Sequence, residues 1–342
     1  MNAVSRNRWQ PALVPLAAGL TALAALFSTG CQNANLNPGM AEPRELHRRA
    51  VNLLTRAAQS DDPELCCNAL EALARVAPDE GLPYFRAALR SEYPLVRFAG
   101  LTALGTLRDK PSLPDMRQRL SDNSPMVRLA AAFAAYRCGL TGYARRLVTA
   151  MTDDPDENVR AEAAHLIGLL EDPRALKRLR AAGRRLSERS DKVLVQIYTA
   201  MARLGDDEGL QRLIEYTPGA AVSRLMALQG LAEVARPEAR DALRLRLNEP
   251  EEYLIHRLVA ARALAKLGLK DGYDLAMRNI SYVSNDPEDP EQTYRVRANA
   301  ALTLGEIGDP RALGALRKMA EQSDDPRLQV AASYAICLIL QP

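Results

Sequence analysis

Apolar and polar positions along this chain follow one helical register that returns about every thirty residues. Its clearest statement is Val159-Arg160 to Leu170 (V-R-A-E-A-A-H-L-I-G-L-L), written again from Val96-Arg97 to Leu107, Val127-Arg128 to Cys138 and Val296-Arg297 to Ile307. Arg97 can be taken as position zero. The slot before it then holds Leu65, Val96, Val127, Val159, Val193, Val296 and Leu328, with Ser223 and His256 as exceptions. Seven positions on stand Leu73, Leu104, Ala135, Ile167, Met201, Leu231, Leu264, Leu304 and Ile336. Residues spaced this way share one face of a helix, so the pattern predicts one buried stripe per unit. Eight positions on, the slot is small, with Gly105, Gly168, Ala202, Ala232, Ala265 and Gly305, and Tyr136 is the misfit. Small residues there let neighbouring helices approach closely.

The register predicts nine helical hairpins between Arg44 and Pro342, each with a first helix A and a second helix B that carries the stripe. Examples are Arg44–Gln59 with Glu64–Val76, Arg174–Arg184 with Asp191–Leu204, and Gly272–Ile280 with Thr293–Ile307. Punctuation agrees. Pro63, Pro94, Pro125, Pro155, Pro250 and Pro326 stand just before B helices, where the first-turn N–H has no partner to lose. Asp172 and Asp309 each begin an Asp-Pro-Arg-Ala run, with Asp as N-cap. Gly205 and Gly308 close B helices where a positive φ is wanted. No alternating stretch of strand length occurs. The fold class that follows is all-α, and a unit of this length buries its apolar side only by stacking in a row. An elongated, curved body with a concave B-helix face is expected.

The first thirty residues do not follow the register. Arg6 and Arg8 precede an uncharged apolar run, Pro11–Phe27, and then Ser28-Thr29-Gly30-Cys31. That arrangement describes an export signal over 1–30, and the run is short for a permanent membrane span. Thr29-Gly30-Cys31 resembles the lipobox of bacterial lipoproteins, with Ser28 where that family has an aliphatic residue. The resemblance implies a diacylglyceryl group on Cys31, a flexible tether over 31–43, and residence on the extracytoplasmic face of a membrane. Loss of 1–30 removes two Arg and no acid from the 45 basic and 42 acidic residues, leaving 43 against 42. Near-neutrality excludes a general nucleic-acid binder. Cys66, Cys67, Cys138 and Cys337 fall at helical positions with no CxxC spacing, and are expected in the core rather than in disulfides.

The repeated D-x(5)-V-R-x-x-A-x-x-A-L-G-x-L resembles HEAT repeats, especially the short type named after phycobilisome lyases, across residues 44–342. The resemblance implies an α-solenoid, α-α superhelix, of right hand. It implies structural roles for the motif arginines Arg97, Arg128, Arg160, Arg257 and Arg297, which join loop acids six residues earlier (Asp122/Arg128, Asp154/Arg160, Glu251/Arg257, Glu291/Arg297) in a ladder along the stack. It also implies B helices on the concave side.

No phosphate loop, GxSxG or HExxH is present, and His47, His165 and His256 make no metal-ligand spacing with the cysteines. No catalytic residue, metal or cofactor is expected, and the chain reads as a monomeric scaffold rather than an enzyme, with a chromophore-lyase-type enzyme or accessory as the alternative. Positions five and nine beyond the Arg share the face opposite the stripe. A partner-binding groove is therefore expected along Arg75, Thr102, Phe133, Arg137, His165 and Leu169, continuing through Arg203, Gln229, Arg262, Lys266, Leu302 and Tyr334. Apolar and aromatic members among polar ones suit a protein partner. Arg174, Lys177, Arg178, Arg184 and Arg185 form a basic stretch that is either a solvated face or a second membrane signal. An acidic insertion, Ser281–Gln292, interrupts the eighth unit.

Overall fold

The structure, a computed structural model, describes residues 38–186 and 190–341. The expected signal segment, Cys31 and the expected tether up to residue 37 lie outside them. All regular structure among the described residues is helical, 77% of the chain, with no strand. The nine hairpins are α1 (Pro38–Ala57) with α2 (Pro63–Val76), α3 (Pro78–Ala88) with α4 (Pro94–Thr106), and α5 (Leu113–Arg119) with α6 (Pro125–Arg137). Next come α7 (Ala144–Asp153) with α8 (Glu157–Leu169), α9 (Leu176–Leu186) with α10 (Asp191–Arg203), and α11 (Asp207–Glu215) with α12 (Ala221–Val234). The last three are α13 (Arg240–Asn248) with α14 (Leu254–Lys266), α15 (Tyr273–Asn279) with α16 (Gln292–Ile307), and α17 (Leu313–Gln322) with α18 (Pro326–Leu340). The all-α solenoid of helical hairpins stands as the sequence predicts.

Local chemistry explains the boundaries. Pro63, Pro94, Pro125 and Pro326 each open their B helix, while Pro155 and Pro250 lie further upstream in the loop. Asp172 and Asp309 cap short 3-10 turns, Pro173–Ala175 and Pro310–Ala312, accepting from Arg174 N and Arg311 N before the A helix begins. Helix α1 opens at Pro38, inside the stretch expected to be tether.

The stripe is buried as its spacing requires. All nine residues at the plus-seven slot are at most 1% exposed. At the small slot, a Cβ added to Gly168 would stand 2.9 Å from Ala200 Cα, and one added to Gly305 2.7 Å from Ala335 Cα, so successive B helices pack at backbone contact. Cys66, Cys67, Cys138 and Cys337 are buried thiols, as expected. Burial pushes Cys66 up to about 11 and Cys337 up to about 12, so neither is a ready nucleophile.

The expectation of an elongated body with a free concave face is corrected. Helix α18 packs on α16, and it also packs on α1 and α2. The ninth hairpin thus meets the first, and the B helices form a closed inner ring with the A helices outside. Arg75 of α2 donates to both carboxylate oxygens of Glu306 on α16, at 2.7 and 2.9 Å, across 231 residues of sequence. At the periphery Arg327 lies 3.9 Å from Glu64 and Arg49 3.9 Å from Glu321. Each unit turns by enough that nine return to the start.

The position eleven after the motif Arg is left-handed in seven units. Gly139, Gly205, Gly268 and Gly308 take it without cost, but Arg108, Glu171 and Ala235 do so with φ of 55°, 58° and 50°. A side chain there crowds its own carbonyl. Ala235→Gly is therefore expected to raise stability by about 1 kcal/mol, read as a higher urea midpoint at unchanged slope. A fall would show that Ala235 holds its conformation without strain.

Candidate functional site

The motif arginines are structural, by a route partly different from the expected one. Arg128 donates to the carbonyls of Asp122 and Asn123, and Arg160 to those of Asp154 and Pro155, at 2.7–3.0 Å. The residue six earlier therefore contributes its backbone, not its carboxylate. Carboxylates enter from the following unit: Arg97 holds the carbonyls of Ser91 and Glu92 and forks onto Asp122 at 2.8 and 2.9 Å. Arg224, which the acid-Arg spacing does not reveal, does the same with Gly219 O and Glu252. Arg257 and Arg297 reach the carbonyls of Leu247 and Ile280. Gln329, in the Arg slot of the last unit, still donates to the carbonyl six residues back, Ser323, at 2.7 Å.

Burial pushes the Asp122 carboxyl up, but hydrogen bonds from Arg97 and the Ser124 N–H, with the charges of Arg97 and Arg119, outweigh it and leave it below the usual aspartate range. The Asp122 side chain is 3% exposed and that of Arg97 11%. Asp122→Asn is expected to destabilise the protein by about 3 kcal/mol, because a buried guanidinium loses its counter-charge. A change under about 0.5 kcal/mol in equilibrium unfolding would remove the inter-unit ladder from the account.

The expected groove does not face open solvent. Phe133, Leu302 and Tyr334 are 1%, 3% and 2% exposed, so these apolar members are core, not docking residues. Phe133 lies against the space beside Gly105 of the preceding unit. Thr102, His165, Leu169 and Gln229 are half-buried. Closure turns the concave face into a narrow lumen, and its charged side chains converge there. Arg203 pairs with Glu233, His165 Nδ1 lies 3.8 Å from the same carboxylate, and Lys266 lies 3.9 Å from Glu306. Arg75 sits 5.9 Å from the ring centre of Tyr334, and Arg137 holds Glu171 at 2.8 Å. Burial pushes Lys266 down to about 8, with Glu306 opposing it. A lysine value below that of the unfolded chain means stability from this group rises with pH between about 8 and 10.5. Glu162 of α8 is raised by burial, with His165 opposing and Glu233 adding to the shift.

The basic stretch is spread over α9. Arg174, Lys177, Arg178, Arg184 and Arg185 are exposed, while Leu179 is buried on the opposite side. Arg174 pairs with Asp172 and Arg185 with Asp153. In the insertion, Asp289 pairs with Arg295 and Glu291 with Arg327. Among the described residues no group of three acids, His or Cys could hold a metal ion, and no helix is long and apolar enough to cross a membrane.

Reading helix faces alone missed a different surface. Four of the exposed large apolar residues are Val222 (72%), Val283 (69%), Tyr253 (65%) and Leu245 (59%). Val222 stands at the start of α12, Tyr253 caps α14, and Val283 lies in the insertion before α16. All three are at the A-to-B end of successive units, on one rim of the ring. The signal available in sequence was apolar residues where loops should be polar.

HEAT repeats match residues 48–137 and 144–222, and a PBS lyase HEAT-like repeat matches 296–322. A comparison with curated proteins returns no significant match. Among solved structures, the complex of CpcE and CpcF of phycocyanin lyase from Nostoc sp. PCC7120 is 19% identical, TM-score 0.41, over 81% of this chain and 98% of that one. Human deoxyhypusine hydroxylase in complex with glycerol is 20% identical, TM-score 0.37, over 78% of this chain and 98% of that one. Kap121p bound to Pho4p is 13% identical, TM-score 0.34, over 83% of this chain and 37% of that one. These likenesses speak to the fold. The expectation that the chain is not an enzyme is corrected by them: helical-repeat proteins of this kind include a hydroxylase and a lyase, so the absence of a familiar motif does not decide the matter.

Proposed function

We propose that this HEAT-repeat chain is a scaffold that docks a protein partner on the rim made by its A-to-B loops, held at a membrane surface through a lipid on Cys31. What carries the first half is the exposure of Val222, Tyr253 and Val283 from three successive units on one rim. Large apolar side chains exposed on an otherwise polar rim favour an interaction site. An aromatic such as Tyr253 is the side chain most often found at the centre of one. The lumen offers a partner no comparable apolar surface, since Phe133, Leu302 and Tyr334 are already used in packing.

The tether fits this orientation. Helix α1 begins at the B-to-A end of the first hairpin, so a chain anchored upstream of Pro38 presents the opposite rim, with Tyr253, away from the membrane. The basic stretch does not serve as one end-on patch. Arg174, Lys177 and Arg178 lie towards the tether rim, and Arg184 and Arg185 towards the other, because α9 spans between them.

Two experiments test the halves separately. The Tyr253→Glu, Val283→Glu double variant, with unchanged helical circular dichroism, is expected to lose the partners that wild-type protein captures from envelope extract. Unaltered capture would rule out the rim. Cys31→Ser is expected to move the protein from the membrane fraction to the soluble one, and persistent membrane retention would defeat the anchor.

A further inference from the structure

The small slot of the repeat holds Tyr136 in the third unit, where most units have Gly or Ala. Its hydroxyl donates to Asp172 at 2.7 Å, so the phenol bridges the third unit to the fourth. A ring in that slot rules out the backbone contact made at Gly168 and Gly305. Accordingly α6 and α8 are the least closely packed pair of successive B helices. At this loosened joint lies a groove of about 1030 Å³. Arg145, Arg146, Thr149, Ala150 and Asp153 line it, which is one face of α7 from its first turn to its last, about 15 Å. The facing wall is the start of α6, the loop after α6 and the start of α8, where Leu129, Leu140, Tyr143 and Val159 supply apolar surface.

Three guanidinia line the groove, those of Arg128, Arg145 and Arg146, all on exposed residues. Arg128 donates to the carbonyls of Asp122 and Asn123 and Arg146 to that of Leu120, and among the described residues neither pairs with a carboxylate. Arg145 makes no hydrogen bond or ion pair with any described residue. Two carboxylates line the far end, Asp153 and Asp154, and Asp153 already lies 3.3 Å from Arg185, outside the groove. Just beyond the lining, Asp156 and Glu157 stand with Arg160 and Lys192, so the surroundings do not reverse the sign. The N terminus of α7 lies at the Arg145 end and adds partial positive charge there. We propose that this groove takes an extended acidic segment of a partner protein. An arginine fork matches the paired oxygens of a carboxylate, and side chains of an extended segment alternate in direction. Acidic residues then face Arg145 and Arg146 while apolar ones between them face Leu129, Leu140 and Val159. At about 3.3 Å per residue the groove holds about four or five residues. This site is separate from the rim of the sixth to eighth hairpins and does not depend on it.

The test is fluorescence anisotropy of labelled hexapeptides on the full-length protein, one alternating Glu with Leu, one Lys with Leu and one Glu with Ser. The Glu-Leu peptide alone is expected to saturate, with a Kd below about 1 mM that rises with salt. Arg145→Glu, which breaks no bond within the protein, is expected to weaken it by about fivefold or more at unchanged Tm. Reversing Arg146 as well is expected to weaken it further. No saturation by the Glu-Leu peptide, equal binding of the Lys-Leu peptide, or unchanged affinity in Arg145→Glu would each overturn the site. Equal binding of the Glu-Ser peptide would overturn the apolar contacts with Leu129, Leu140 and Val159.

Discussion

Every B helix in this chain has two sides to bury, and the first and last have a neighbour on one side only unless they meet. Their meeting is what the rest of the structure depends on. In an open solenoid the terminal units need polar outer faces to stay soluble. Here α18 carries Val330, Ala331, Ala332, Tyr334, Ala335 and Cys337, each 5% exposed or less, because α1 and α2 lie against it. Each end acts as the other's cap. Closure then constrains the lumen: charges that would be solvated on an open concave face are enclosed, and must be paired. The forks and bridges through Glu233 and Glu306 follow from that requirement.

The repeat itself was legible in the sequence because it is a local statement made nine times. The plus-seven stripe, the small slot at Gly168 and Gly305, and the cap residues Asp172 and Asp309 each need only their own unit and the next one. Closure was not legible, because it depends on the sum of small rotations between units, and no single residue encodes that sum. The consequence fell on Phe133, Leu302 and Tyr334, which share the face of Arg75 and Arg203 and were expected to line an open groove. A clue was present in α18, where an end cap should have shown more polar residues. Arg224 escaped notice for a different reason: six residues before it stands Pro218, where the other units have an acid or Ser, and the Arg takes the carbonyl of Gly219 instead. Left-handed Arg108, Glu171 and Ala235 escaped because nothing in a side chain announces a positive φ when Gly is absent.

Closure also relocates function. A groove that wraps a partner requires an accessible inner face, and the closed ring fills that face with packed and paired side chains. The A-to-B rim is irregular where the insertion before α16 departs from the repeat, and exposed apolar residues of three units, Val222, Tyr253 and Val283, stand along that rim. The regular part of the chain holds the shape, and the proposed recognition surface lies at the departures from regularity.

Closure in solution is tested most directly by a double-mutant cycle on Arg75 and Glu306, residues that can interact only if the first and eighth hairpins are brought together by the ninth. Arg75→Met, Glu306→Gln and the double variant, followed by equilibrium unfolding, are predicted to show a coupling energy of about 1–3 kcal/mol. Additive effects, with coupling indistinguishable from zero, would contradict the closed ring.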